Sequence, residues 1–439
     1  MKAHNIDSKK YLEEFSKYVI MDPYPFVIDL KGCNGMWIKT IDDTEIFDWA
    51  GYYGSRLIGH NHPMMFEKDY IETLIYAANN KMANPDFLTP ECIKYYRKLY
   101  ELAPKCIKND QLEIYAVNSG AEAVENMLKY FINLHDNKMI AQNKPIGMRR
   151  MIYFEQAFHG RTIYTLNVTK LTHVPVITKN FENFGIGNLE APFPVFDPNI
   201  SEEENQLKIE MSLNFIMEQI RNYPDEIVGV IVEPIQSAGG QRIALPKFFQ
   251  ELSRICYEND ISLGFDEVQT AGGQTGKIFM SDFFDLPYPP QGIATGKKFA
   301  NGVVYMRFPM QDIGILDSTW GGNLADMVRF CQEMKVVEKY NLIEQVEHKT
   351  EMIVQKLTDL QDEYPHSICH IRGQGLYQGF SMCDPKKRNL FVDFALQEQN
   401  LLLLEAATDT IRLRPVLDVE IHDIDLLIKK LEICIKSVL

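Results

Sequence analysis

From about Leu112 onward, short β-rich runs alternate with helical patterns, and this alternation limits the chain to few architectures. The runs are LEIYAV, RMIYFE, IVGVIVEPI, ISLGFDEV and GIAT, interleaved with helical stretches such as AVENMLKYFINLH and FFQELSRICYEND. Such a pattern predicts an α/β fold: a mostly parallel sheet covered by helices. After Trp320 the pattern becomes one long helical stretch over about 324–364, with Met327, Phe330, Met334, Val337 and Tyr340 at helical spacing. The last third reads as a smaller α+β lobe ending in the amphipathic DIDLLIKKLEICIKSVL. The first fifty residues carry β-like pieces, PFVIDL and GMWIKT, and are expected to pack with that lobe. The predicted division is therefore 1–62, an N-terminal segment; 63–323, a large domain; and 324–439, a linking helix and small C-terminal domain.

A chain of 439 residues, 46% hydrophobic and 24% charged, suits a soluble globular protein with a large core. Its net charge of −15 argues against nucleic acid as a partner. The eight cysteines are scattered without a CxxC pair, which fits reduced thiols in a cytoplasmic protein better than a disulfide frame or a zinc site. The lead MKAHNIDSKKYLEEF lacks the apolar centre of a signal peptide, and no uncharged apolar stretch could span a bilayer. No membrane association is expected.

Two residues carry the strongest chemical signal. Asp266 ends the apolar run 261–265 and Lys297 follows the run 293–295, about one strand-helix-strand unit later. Both are expected at the carboxyl ends of neighbouring strands, where open α/β sheets bind ligands. A pyridoxal phosphate site needs an amine to hold the aldehyde as a Schiff base and a carboxylate to keep the pyridine nitrogen protonated. Asp266 and Lys297 can supply these groups. On their own they are more simply a helix cap and a solvated surface charge; further segments change that balance.

LEIYAV runs into Asn118-Ser119-Gly120-Ala121 and then a helix, placing small residues and free N–H groups at a helix N-terminus, which suits a phosphate or an ordinary cap. Phe158-His159-Gly160-Arg161 follows MIYFE; Phe158 could stack on a ring and Arg161 could grip a carboxylate, or they could be a core aromatic and a surface cation. Glu233 ends another strand beside Gln236. AGGQTGK approaches a phosphate-binding loop, but Ala271 stands at the first glycine position and Ile278 at the hydroxyl position, so it reads as a glycine-rich turn. His60-Asn61-His62-Pro63 lacks partners at metal-ligand spacing and reads as structural.

FHGRT, VIVEPIQSAGG, FDEVQTAGG, GKK and STWGGN, in that order, resemble the class III, fold type I, pyridoxal phosphate-dependent aminotransferases over nearly the whole chain, from about Asp22 onward. AVENMLK, STWGGNLADMVR and IRLRPVL make the likeness greatest to the L-lysine 6-aminotransferases. The resemblance implies that Lys297 carries the cofactor and shuttles the proton, with Lys298 as the alternative lysine. It implies that Asp266 pairs with the pyridine nitrogen, Gln269 meets the ring hydroxyl and Phe158 stacks on the ring. Ser119, Gly120 and Ala121 would hold the phosphate, and Thr319 would reach the phosphate in a neighbouring subunit, which implies a homodimer with sites at its interface. Arg161 would bind the α-carboxylate of the donor and Arg414 the second carboxylate of 2-oxoglutarate, with Glu233 also at the substrate. The large domain would then be the cofactor-binding one.

One departure from the family it resembles bears on the substrate, beside a lesser one at AGYYGSRL, where Tyr53 and Arg56 stand in place of small residues. After EPIQ, the lysine and 4-aminobutyrate enzymes carry a glutamate two positions on that neutralises the second arginine; Ala238 stands there instead. The implied activity is a ping-pong transfer of the ε-amine of L-lysine to 2-oxoglutarate, giving 2-aminoadipate 6-semialdehyde and L-glutamate. The alternatives are another ω-amine donor, such as 4-aminobutyrate or ornithine, and a non-catalytic binding protein that keeps the fold.

Overall fold

The computed structural model describes residues 7–20, 23–80, 86–181 and 187–438. The start of the polar lead, residues 1–6, and Asp22, where the family resemblance begins, lie outside them. A seven-stranded sheet runs in the order Glu113–Val117, Gly302–Met306, Gly292–Thr295, Ser262–Asp266, Ile227–Val232, Arg150–Phe154, Leu189–Ala191. Neighbours pair in parallel except at Gly302–Met306, which is antiparallel to both its neighbours. Ile227–Val232 and Ser262–Asp266 are buried along their whole lengths, as strands covered on both faces must be.

On one face, helix Pro246–Glu258 packs Phe248 against Phe154 and Phe249 against Phe265. On the other lies helix Gly120–Ala141, with Val124, Met127, Leu128 and Phe131 buried. Three adjacent strands present glycine beneath Phe131: a Cβ on Gly229, Gly264 or Gly292 would stand 2.8, 2.7 or 3.1 Å from its ring carbons. The glycines let the helix lie close to the sheet, and so fix the position of its N-terminus above the strand ends.

Between Asp266 and Gly292 the expected helix is absent. Only a 3-10 turn, Met280–Phe283, occupies the connection, because Gly272 and Gly273 sit at φ +120° and +103° and Pro287, Pro289 and Pro290 follow. The long stretch after Trp320 is likewise two helices, Leu324–Lys339 and Val346–Glu363. The break is a Schellman motif: Asn341 is left-handed at φ +46°, its N–H bonds to Glu338 O at 3.3 Å and that of Leu342 to Val337 O at 3.0 Å. Burial of Leu342 holds the turn in place.

The C-terminal part carries a four-stranded antiparallel sheet in the order Ile368–Gln374, Tyr377–Met382, Thr410–Arg412, Leu404–Ala406. Leu401–Leu402 pairs in parallel with Glu45–Asp48, which pairs in turn with Trp37–Lys39. From the PFVIDL segment, Ile28 forms an isolated bridge to Thr40. Among the described residues, no helix is long and apolar enough to cross a membrane.

Candidate active site

The carboxyl ends of the parallel strands gather the sequence-predicted residues. Ser262–Asp266 pairs with Gly292–Thr295 so that Asp266 lies opposite Ala294, which brings Asp266 and Lys297 to the same end of the sheet. Lys297 adopts φ +49°, a left-handed conformation that costs a residue with a Cβ about 1–2 kcal/mol. Its Nζ donates to Gln269 Oε1, and Gln269 Nε2 donates to Tyr53 O at 3.2 Å. Burial, and then the nearby Arg412 guanidinium, lower the Lys297 amine to about 8, although Asp266 and Glu233 pull the other way.

Asp266 is sealed from solvent and held at both carboxylate oxygens. Oδ1 accepts the Val268 N–H at 3.0 Å and Oδ2 lies 2.7 Å from His159 Nδ1. Glu233, at the end of the next strand, accepts the Phe158 N–H at 2.9 Å. Its burial, reinforced by the Asp266 charge, pushes its carboxyl well above the ordinary range. Phe158 is half-buried, and Arg161 stands exposed just beyond it.

Ser119 caps the helix that begins at Gly120, its Oγ accepting the Glu122 N–H at 3.3 Å. Gly120 is wedged between two strand ends: a Cβ there would lie 2.6 Å from Val268 Cγ1, and one on Gly296 would lie 3.1 Å from Gly120 Cα. Thr319 lies in an exposed segment, next to Trp320, whose carbonyl accepts from Asn118 Nδ2 at 3.0 Å. That segment therefore borders the same helix N-terminus.

Lys298 points the other way. It is buried, and its Nζ donates to Gln269 O at 2.6 Å and Gly54 O at 3.3 Å and bonds to Tyr377 OH at 2.8 Å. Its interior partners make it a brace behind Lys297.

Arg414 is buried too. Its guanidinium lies 4.5 Å from the centre of the Tyr377 ring and donates to Ser237 Oγ at 2.6 Å, to Leu413 O at 2.7 Å and to Gln241 Oε1. Arg412, which sequence reasoning passed over, donates to the same Ser237 Oγ at 3.0 Å and to Glu405 O at 2.8 Å. Of the two arginines, Arg412 acts the more strongly on Lys297, and its charge also bears on Glu233. The signal for it was available, since residues 412 and 414 are two apart and alternate side chains of an extended segment share a face.

These groups fit pyridoxal phosphate. A buried carboxylate and a half-buried, easily deprotonated amine stand at adjacent strand ends, and a small-residue helix N-terminus with an exposed hydroxyl lies beside them.

Residues 20–435 match the family model for class III aminotransferases. The chain is 27% identical to an L-lysine-epsilon aminotransferase of Streptomyces clavuligerus, covering 96% of this chain and 93% of that one. It is 26% identical to a 4-aminobutyrate aminotransferase of Kluyveromyces lactis, over 97% of this chain and 93% of the other. Among solved structures it resembles the lysine aminotransferase from M. tuberculosis in the internal aldimine form, with 28% identity, a TM-score of 0.92, and 99% and 100% of the two chains covered.

Proposed function

We propose that this chain, which belongs to the class III aminotransferases and is therefore a pyridoxal phosphate-dependent transaminase, moves the ε-amino group of L-lysine to 2-oxoglutarate. The reaction type rests above all on the Lys297 amine, which donates to Gln269 Oε1 and feels the charges of Asp266 and Glu233. The choice of donor rests on the likeness to L-lysine-epsilon aminotransferases along almost the whole chain.

Pyridoxal phosphate, when bound, supplies an aldehyde to take the amine and a protonated ring to receive the electrons of the breaking C–H bond. Lys297 Nζ would hold that aldehyde and, once displaced by the donor, carry the proton to and from the amine-bearing carbon. An amine lowered to about 8 is free base for about a tenth of its population at pH 7 and for half of it near pH 8, far more than an ordinary lysine, which favours a proton shuttle. Asp266, with His159 fixing Oδ2, would retain the proton on the ring nitrogen. The N–H groups of Gly120 and Ala121 and the Ser119 hydroxyl would bind the phosphate, with Thr319 of a second subunit completing it in a homodimer. Phe158 would cover the ring and Gln269 would meet its hydroxyl.

Arg161, exposed and cationic, would take the α-carboxylate of lysine and so direct the ε-amine inward. Arg414, together with Arg412, would receive the second carboxylate of 2-oxoglutarate, with Glu233 beside them. The products are then 2-aminoadipate 6-semialdehyde and L-glutamate. The same reading divides the chain at residues 62 and 323 into N-terminal segment, cofactor-binding domain and small domain. Glutamate formation from 2-oxoglutarate, compared across L-lysine, 4-aminobutyrate and ornithine, tests the donor. L-lysine is expected to give the highest kcat/KM; a clear preference for another amine would move the substrate while keeping the chemistry.

A further inference from the structure

Residues 51–54 form one turn of left-handed helix. Gly51, Tyr52, Tyr53 and Gly54 have φ of +55°, +51°, +60° and +71°; the Gly54 N–H bonds to Ala50 O at 3.1 Å and that of Ser55 to Gly51 O at 3.0 Å. Glycine tolerates this region, but two successive tyrosines disfavour it, so their surroundings must hold them there. Two side chains do so. Asp48, buried just before the turn, accepts the Ala50 N–H at 3.0 Å and the Gly51 N–H at 2.8 Å, both on Oδ1. Ser55 Oγ closes the far end by donating to Tyr52 O at 2.8 Å. The flanking glycines leave no room to spare: a Cβ on Gly51 would collide with Arg414 O, and one on Gly54 with Gln269 Nε2.

The turn presents two carbonyls to the site. Gly54 O receives Lys298 Nζ and the Tyr377 hydroxyl, each at 3.3 Å. Tyr53 O receives Gln269 Nε2 at 3.2 Å, and because a carbonyl can only accept, it fixes which end of that amide faces it. Gln269 Oε1 is thereby left for Lys297 Nζ. A reversed amide would set its own NH2 against the lysine amine, donor against donor. The charges that act most on Lys297 come from Arg412, Asp266, Arg414 and Glu233, so the path from Asp48 runs through hydrogen bonds. We infer that Asp48 is a positioning residue: by holding the left-handed turn it orients the Gln269 amide and, through it, the Lys297 amine. The inference rests on the transaminase reading and extends the site's support to the strand Glu45–Asp48.

The test compares wild type with Asp48→Ala, Asp48→Asn and Ser55→Ala. Cofactor-free protein is mixed with pyridoxal phosphate at fixed pH and the appearance of the yellow band is timed; loaded protein then gives kcat and KM for the amine donor, counted per bound cofactor. Asp48→Ala should slow the band and lower kcat, each by roughly tenfold, with KM little changed. Asp48→Asn keeps an oxygen for the two N–H groups but drops the charge, so it should restore most of both rates. Ser55→Ala should move both in the same direction by less, and decides the matter if Asp48→Ala does not fold. An Asp48→Ala protein as fast per site as wild type, an Asp48→Asn protein as slow as Asp48→Ala, or, where Asp48→Ala does not fold, an unaltered Ser55→Ala would overturn the inference and leave transamination standing. A wild type that forms no yellow band, or takes the amine from no donor, would instead overturn the transaminase reading beneath it.

Discussion

His159 Nδ1 stands 2.7 Å from Asp266 Oδ2 with both side chains shut off from solvent. A carboxylate can only accept, so the histidine carries its proton on Nδ1, and the buried Nε2 is left without a partner. The pair fixes the rotamer of the one acid aimed from the Ser262–Asp266 strand into the site.

Replacing His159 with Leu should therefore act through Asp266. A lost orienting partner of this kind lowers affinity or activity by about 10- to 100-fold. The expected result is a kcat reduced on that scale with weaker cofactor retention, read from steady-state kinetics and dialysis; Asp266→Ala should be the more severe change.

Lys298→Met should cost stability. It removes the donor from Gln269 O, and a carbonyl left buried without a partner costs about 1–3 kcal/mol, whereas Gly54 O keeps the Tyr377 hydroxyl. Urea unfolding of the variant should show a lower midpoint, and an unchanged midpoint would mean that the brace contributes nothing.

The pH dependence of cofactor capture follows from Lys297. Its amine is lowered to about 8, chiefly by burial and then by Arg412, so below that pH it is protonated and cannot attack an aldehyde. Stopped-flow mixing of apoprotein with pyridoxal phosphate should give a yellow band whose rate of appearance rises with pH and levels off above about 8. Removing the Arg412 charge, as in Arg412→Met, should move that rise to higher pH.

Gly264→Ala should destabilise the fold by about 1–3 kcal/mol, the usual cost of overpacking. The added methyl would stand 2.7 Å from a Phe131 ring carbon and push the helix carrying Gly120 off the sheet. Thermal unfolding checks the loss, and weakened phosphate-end binding should accompany it.

Much of this was legible in the sequence, for physical reasons. Asp266 and Lys297 each follow an apolar run, and in a parallel sheet the end of such a run is the mouth of a site. Glu233 was visible in the same way, but its proton-holding environment was not, since that depends first on its burial in the fold and then on Asp266 arriving from a neighbouring strand. The His159–Asp266 bond joins residues 107 positions apart and leaves no local trace. The break at Tyr340–Asn341 was hidden because the apolar spacing continues through it; only the asparagine marked the left-handed turn. Arg414 drew attention through its family motif, while the contacts of Arg412 with the Ser237 turn and its effect on Lys297 appear only once the chain is folded.

Amine transfer by Lys297 is the step on which the proposed function stands. The most direct measurement adds L-lysine alone to the cofactor-loaded protein, follows the yellow absorbance, then adds 2-oxoglutarate, and repeats the sequence with Lys297→Ala. Wild type is expected to lose the band with L-lysine and regain it with 2-oxoglutarate, and the variant to complete no such cycle. A variant that turns over at the wild-type rate, or a wild-type band that no amine disturbs, would contradict it.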